Sequence, residues 1–219
     1  TVLTWSDMKP LLQDIDVIGA MEVGFVAYSA GQAVIPPVAE LCFEKPPGDV
    51  HIKYGYLTEG EHYVVKIASG FYDNPSLGLP SSQGLMLLFS KTTGQTEAVL
   101  LDEGRLTDIR TGAAGAVAAR HLALKSISQI GIIGAGIQAR MQLEYLTKVT
   151  DCSEAMVWAR NLERAQTYAE DMKALGINVR VARDAEELAT TSNLIVTTTP
   201  SREPLLRAEW IQPGTHITA

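Results

Sequence analysis

Two basic residues stand in settings where a positive charge is costly. Lys66 lies inside the apolar run Tyr63-Val64-Val65-Lys66-Ile67-Ala68. A lysine flanked this way is either an outward-facing strand residue or a functional amine in a pocket. Burial would lower its pKa and suit it to proton transfer. Arg110 falls in the expected first turn of the helix LTDIRTGAAGAVAARHLAL. A cation at a helix N-terminus is unfavourable without an anion nearby, which tips Arg110 towards binding a carboxylate through paired hydrogen bonds. His51 and Lys53 are two apart on an expected strand and so share a face. That face would present positive charge to an acidic substrate or simply meet water. His62 reads as a surface histidine in a turn, and His216 has no visible partner. No Ser-His-Asp order and no metal-ligand spacing stands out, and the two cysteines, Cys42 and Cys152, are expected to be reduced and buried.

A second constellation lies further on. Ile130, Ile132 and Ile133 read as a short buried strand, followed by Gly134, Gly136 and Ala139 in the spacing G-x-G-x-x-A. That spacing serves a tight turn, close approach of backbone to a pyrophosphate and close helix–strand packing, so a dinucleotide site is expected here. The following helix would point its first amides at the phosphates. The next strand ends at Arg160-Asn161, where an NAD-preferring site usually carries an acid for the ribose hydroxyl. Arg160, with Arg164 a turn later, is either a 2′-phosphate ligand or a solvated helix-start arginine, so NADP is expected to be tolerated and NAD is not excluded. Thr197-Thr198-Thr199-Pro200 closes a further strand at the carboxyl edge that borders such a crevice.

The elements that must position these residues fall into two patterns. Up to residue 100 the reading is two helices and an antiparallel sheet. The helices are one capped at Thr4 to Asp7 and one over 16–30, with Ile18, Met21, Phe25 and Tyr28 as its stripe. Strands are read in VAELCF, HIKYGYL, HYVVKIA, GLMLLF and EAVLLD, with Pro46-Pro47-Gly48-Asp49 as turn chemistry. A helix rich in Ala and Gly, about 107–124, links this half of the chain to the second, and its small residues allow another backbone close. From 126 the period becomes strand–helix alternation, the sign of a parallel sheet. Strands are expected at 130–134, 155–159, 177–182, 193–198 and 215–219, with helices near 137–149, 161–175 and 184–191. The fold class is therefore α/β: a Rossmann-type parallel sheet domain over 126–219 and an α+β domain over 1–125. The parallel domain stops on a strand with nothing covering it, so the chain is expected to be the N-terminal part of a longer protein or an incomplete one.

The chain has 219 residues and a net charge of −7, which argues against nucleic acid or an anionic membrane as partner. The N-terminus lacks the basic start and apolar run of a signal peptide, and no stretch has the ~20 apolar residues of a membrane helix. A soluble, cytoplasmic protein is expected.

Taken together, VVKIASGFYDNPSLGLPSSQGLMLLF, LLDEGRLTDIRTGAAGAVAARHLA and IGIIGAGIQARMQLEYL resemble the ornithine cyclodeaminase/mu-crystallin family over essentially the whole chain. The helix start DIRT with G-x-G-x-Q-A is more specific than the fingerprint alone. The resemblance implies an NAD(P)-dependent homodimer with a substrate domain split around a Rossmann domain. Position by position it implies that Lys66 is the substrate lysine, and that Arg110 touches both substrate carboxylate and cofactor. It also implies that Ser81 contacts the cofactor, that Ile137 and Gln138 lie over the pyrophosphate, and that Thr199 lies beside the ribose. Two departures matter. Val38 follows the Pro-Pro where relatives often carry an arginine, so one substrate carboxylate contact is expected to be either missing or replaced, with Lys53 as the candidate replacement. The family's catalytic aspartate would lie beyond Ala219. The family moves hydride at the α-carbon of an amino acid or its imine, and the segments around His51 and Tyr72 resemble its iminosuccinate reductase and ectoine-utilisation branch. The expected activity is thus reduction of a small acidic imine, best iminosuccinate to L-aspartate. The alternatives are ornithine cyclodeamination and non-catalytic NADPH binding.

Overall fold

The computed structural model describes residues 1–219. It divides into two compact units, Thr1–Arg110 and Thr111–Ala219. The first holds β1 (Val2–Thr4), α1 (Trp5–Leu11), α2 (Val17–Ser29), β2 (Ala33–Val34), β3 (Ala39–Glu44), β4 (Pro47–Leu57), β5 (His62–Phe71), β6 (Ser82–Ser90) and β7 (Thr96–Leu101). The strands form one sheet in the order β1-β7-β6-β5-β4-β2, with β3 also on β4. The sheet is not purely antiparallel, as its sequence suggests: β1, too short to announce itself, pairs in parallel with β7 through Val2 and Val99. Its chain then turns straight into α1, where Thr4 and Asp7 form the expected capping box, with the Thr4 amide donating to Asp7 Oδ2 at 2.9 Å.

Three further expectations change in this unit. Pro47 belongs to β4 and not to a turn. It stands opposite Glu44 at the first position of the strand, where the missing N–H is no loss. The stripe of α2 is not buried within the chain: Ile18 is, whereas Phe25 and Tyr28 are exposed beside Val23 and Val26. Cys42 is exposed on β3 and Cys152 only partly buried, and both are free thiols.

Helix α3 (Arg105–Leu122) begins in the first unit and continues into the second. The division therefore falls at 110/111, inside this helix, and not after 125. The reason is packing. Gly112, Ala113, Gly115, Ala116 and Ala119 are buried, and a Cβ on Gly112 would sit 2.8 Å from the Tyr145 ring. The small residues thus let α3 lie against α4 (Ile137–Leu146).

The second unit alternates β8 (Ile130–Ile133), α4, β9 (Glu154–Trp158), α5 (Leu162–Ala174), β10 (Asn178–Val181), α6 (Ala185–Thr191), β11 (Leu194–Thr197) and β12 (His216–Thr218). All pairings are parallel, in the order β10-β9-β8-β11-β12. Chain order is thus 3-2-1-4-5, the doubly wound arrangement whose order reverses beside the first strand. Ile130, Ile132, Leu143, Val157, Tyr168 and Leu194 form the core on one side of this sheet. Every strand expected in this unit is present, within a residue or two of its expected ends.

Candidate active site and nucleotide crevice

Lys66 takes the pocket option of the two its sequence left open. In the β4–β5 pairing it stands directly opposite Lys53, and in the β5–β6 pairing opposite Met86. Lys53, Lys66 and Arg110 line one cavity of about 560 Å³, with Ala33, Ile35 and Val64 among its apolar wall and Glu61 and His62 also on it. Burial, then the charges of Arg110 and Lys53, depress the Lys66 ammonium to about 8, while Asp102 opposes the shift. Burial likewise lowers Arg110, against the pull of Asp108, but a guanidinium stays charged at any working pH. The pocket therefore concentrates positive charge on a partly apolar surface, a setting for a small anion.

The way Arg110 reaches this cavity differs from expectation. It is the sixth residue of α3 and not in its first turn, so the helix-dipole argument does not apply to it. The first turn is instead Arg105 to Asp108, entered through Asp102, whose Oδ2 accepts the Leu106 amide at 2.9 Å. His51 shares the Lys53 face but is turned to carboxylates, 3.3 Å from Asp49 and 3.9 Å from Glu40. It is thus not half of a basic pair. His62 opens β5 and not a turn, within 2.8 Å of Glu97. His216 bonds Thr218 at 3.0 Å. Ser81 lies in the loop before β6, its carbonyl accepting the Phe71 amide at 2.8 Å. The neighbouring Ser82 and Gln83 line a smaller cavity with Asp49, His51 and Tyr72.

The second unit carries the crevice that the glycines foretell. Gly134 has φ +115°, and a Cβ there would meet Thr198 Oγ1 at 2.6 Å and the Thr198 carbonyl oxygen at 2.9 Å. Only glycine satisfies both the backbone and the space. Gly136 has open space around it and caps α4 without any side-chain bond, which leaves the first amides of that helix for a ligand. Gly134, Gly136, Arg160, Asn161, Arg164 and Thr199 are among the residues lining a cavity of about 590 Å³. Ile137, exposed, and Gln138, half-buried, open α4 at its edge. Asn161 is already committed: its Oδ1 accepts the Arg164 amide at 2.9 Å and caps α5. That leaves Arg160 as the side chain free of capping duty at the end of β9. A glycine with no room for a Cβ, an uncapped helix start and a basic rim fit a dinucleotide.

Thr198, already marked by the run that closes its strand, is joined by two residues that support these sites and were not evident in sequence. Arg140 donates to the carbonyls of Ala135 and Gly136, at 2.7 and 3.2 Å, and pairs with Asp171, tying the fingerprint turn to α5. Thr198 donates through Oγ1 to the Ile133 carbonyl at 3.2 Å, holding the two strand ends together. Asp102, buried, starts α3. Of those two only Asp102 carried a signal, an acid four residues before the amide it accepts.

The chain matches the model of the ornithine cyclodeaminase/mu-crystallin family over residues 1–219. Among solved structures it resembles the Thermococcus litoralis Δ1-pyrroline-2-carboxylate reductase in complex with NADH and L-proline, with a TM-score of 0.92 and 36% identity over 99% of this chain and 67% of that one. It is similar to an archaeal alanine dehydrogenase dimer with bound NAD, at 0.89 and 37% over 99% and 65%. The iminosuccinate reductase of Paracoccus denitrificans with NAD+ matches at 0.88 and 26% over 100% and 67%. The chain spans about two thirds of the length of the curated relatives it matches, 67% for two of them and 66% for a third.

Proposed function

This chain belongs to the ornithine cyclodeaminase/mu-crystallin family, and from that premise we propose that it reduces a small imino acid with two carboxylates, iminosuccinate above all, to the L-amino acid. It is an NAD(P)-dependent oxidoreductase acting on CH–NH2 or C=N groups, as its relatives are. The observation that carries the choice of substrate is the opposition of Lys53 and Lys66 across β4 and β5, with Arg110 in the same cavity. A monocarboxylate needs one clamp. Arg110 and Lys66 suffice to clamp one carboxylate, and Lys53 in the same cavity offers a further cation to a second. We assign the α-carboxylate to Arg110 and Lys66 and the distal carboxylate to Lys53.

The cofactor is NAD(H) or NADP(H), and Gly134, Gly136, Arg160, Asn161 and Thr199 of the crevice, with Ile137 and Gln138 at the start of α4, are the residues we assign to it. When bound, its reduced nicotinamide supplies hydride to the imine carbon. The chain's own residues do the rest. Arg110 fixes the plane of the α-carboxylate by a bidentate contact, and Lys53 sets the length of the substrate. Lys66, with its amine lowered to about 8, holds the carboxylate as an ammonium and is poised to pass a proton to the nascent amine nitrogen. Positioning of this kind contributes several kcal/mol, up to roughly 7–11 in the best-oriented cases. The active form is a homodimer working in the cytoplasm. The exposed Val23, Phe25, Val26 and Tyr28 of α2 and Leu41 and Phe43 of β3 supply apolar surface for association.

The test is nicotinamide absorbance in the near ultraviolet with full-length protein, NADH or NADPH, oxaloacetate and ammonium. Consumption of reduced cofactor that requires ammonium and yields aspartate is the expected result. Proline and ammonia from ornithine, with no net cofactor consumed, would replace this reading with the lyase one. Tight cofactor binding with no turnover on dicarboxylate, monocarboxylate or cyclic imines would replace it with a ligand-binding role.

A further inference from the structure

Asp102 is the charged side chain that the structure buries most completely, at 1% exposure. Its Oδ2 accepts the Leu106 amide and its carbonyl accepts the Arg105 amide, both at 2.9 Å, so it holds the first turn of α3. Its Oδ1 has no hydrogen-bond partner. A carboxylate so placed is costly unless a cation compensates it.

The sheet register shows which cation. Leu100 of β7 pairs with Met86 of β6, and Met86 pairs with Lys66 of β5. Asp102 lies two residues past Leu100, just beyond the end of β7 and level with Gly84, whose partner Ala68 is two residues along β5 from Lys66. Neither of those intervening positions carries more than a methyl. A Cβ on Gly84 would lie 3.4 Å from the Gly104 Cα, so the entrance to α3 rests on the bare glycine. The charges that act on Lys66 come from Lys53 on β4, Arg110 on α3 and Asp102 at the β7–α3 turn. From β6 it meets the uncharged Met86, while Glu61 and His62 line the same cavity.

We propose that Asp102 is a positioning residue of the substrate pocket: it fixes the start of α3, and with it Arg110, and supplies the negative charge that holds Lys66 as an ammonium between two other cations. The inference rests on the reading of Lys66 as the substrate-binding amine. Of the charges that act on Lys66, Asp102 is the one that favours the protonated form. Without it the amine would lose its proton nearer neutrality and release the substrate carboxylate.

The decisive comparison uses Asp102→Asn, which keeps an acceptor for the Leu106 amide and removes only the charge. Asp102→Ser, another capping residue, serves if the first variant does not fold. The quantity read is kcat/KM of the variant divided by that of wild-type protein at each pH, a ratio that cancels the titration of substrate and ammonium. If the Lys66 amine falls by one pH unit, the ratio drops by about fivefold at roughly pH 8 and by less than twofold at roughly pH 6. The same shift is to be seen directly in the NMR titration of Lys66 in 13C-lysine-labelled protein, assigned through Lys66→Arg, without any turnover. A ratio that is flat with pH, or a Lys66 titration that does not move, overturns the proposal. A Lys66→Ala protein with full activity is a different failure, that of the pocket assignment itself.

Discussion

At the scale of single residues, charge and burial decide what the pocket recognises. Lys53 is exposed and Lys66 half-buried, yet the pairing of β4 with β5 places them side by side. Removing Lys53 should therefore spare the chemistry and harm only the recognition of the distal carboxylate. Lys53→Ala is expected to raise KM for iminosuccinate by about ten- to hundredfold, the worth of one charge-assisted hydrogen bond, with kcat little changed. Turnover with pyruvate and ammonium, which has no second carboxylate, should stay within about twofold of wild type. An equal loss on both substrates would show that Lys53 does not read the distal group. At the other site Arg160 lies beside an asparagine already used as a cap. Arg160→Ala is expected to weaken NADPH binding by about tenfold or more while leaving NADH within about twofold, as read by nicotinamide fluorescence. Equal effects on the two cofactors would return Arg160 to the role of a solvated surface arginine.

At the scale of elements, turns and helix starts hold these side chains in place. The β8–α4 turn has no tolerance for a Cβ, because Gly134 combines a positive φ with the Thr198 backbone at van der Waals limit. Gly134→Ala should cost about 1–3 kcal/mol of stability through strain and displacement of the β11 end. It should also abolish measurable cofactor binding in isothermal titration calorimetry, since the same turn must approach the pyrophosphate. Retained affinity would place the nucleotide elsewhere. Helix α3 does two jobs along its length. Its first turns carry Asp102's cap and Arg110, and its later glycines and alanines accept α4, with a Cβ on Gly115 falling 1.9 Å from Gln142 Oε1. One helix thus carries both Arg110, the residue assigned to the substrate carboxylate, and the packing face for the helix that opens at the fingerprint.

At the scale of the whole molecule, the depressed Lys66 amine links stability to pH. Its folded value, about 8, lies below the ordinary 10.5, so between those values the unfolded chain holds more protons than the folded one. Stability from this group must therefore rise as pH climbs through that window, and be least below it, where the pocket holds an unwelcome ammonium. Thermal melting of Lys66→Met should show a smaller gain over the same range than wild-type protein. An unchanged pH slope would mean that Lys66 is not desolvated as described. Association is the other property at this scale. Sedimentation of the full-length protein is expected to give the mass of two chains, and Val26→Glu on exposed α2 to shift it towards one.

Local pattern was enough for much of this. The G-x-G-x-x-A turn, the strand–helix alternation after residue 126 and the capping box at Thr4 are set by neighbours a few residues apart, and periodicity records such constraints directly. Lys66 stood out because it is a charge inside an apolar run, whereas Arg110 stood out through a first turn that it does not occupy. What the sequence did not determine depends on pairs far apart in the chain. The parallel β1–β7 pairing, the facing of Lys53 by Lys66 and the turning of His51 towards Glu40 and Asp49 all follow from strand register. A one-residue slip in any ladder would send those side chains to the opposite face. Register is fixed by the sum of contacts along whole strands, and no single stretch of sequence contains that sum.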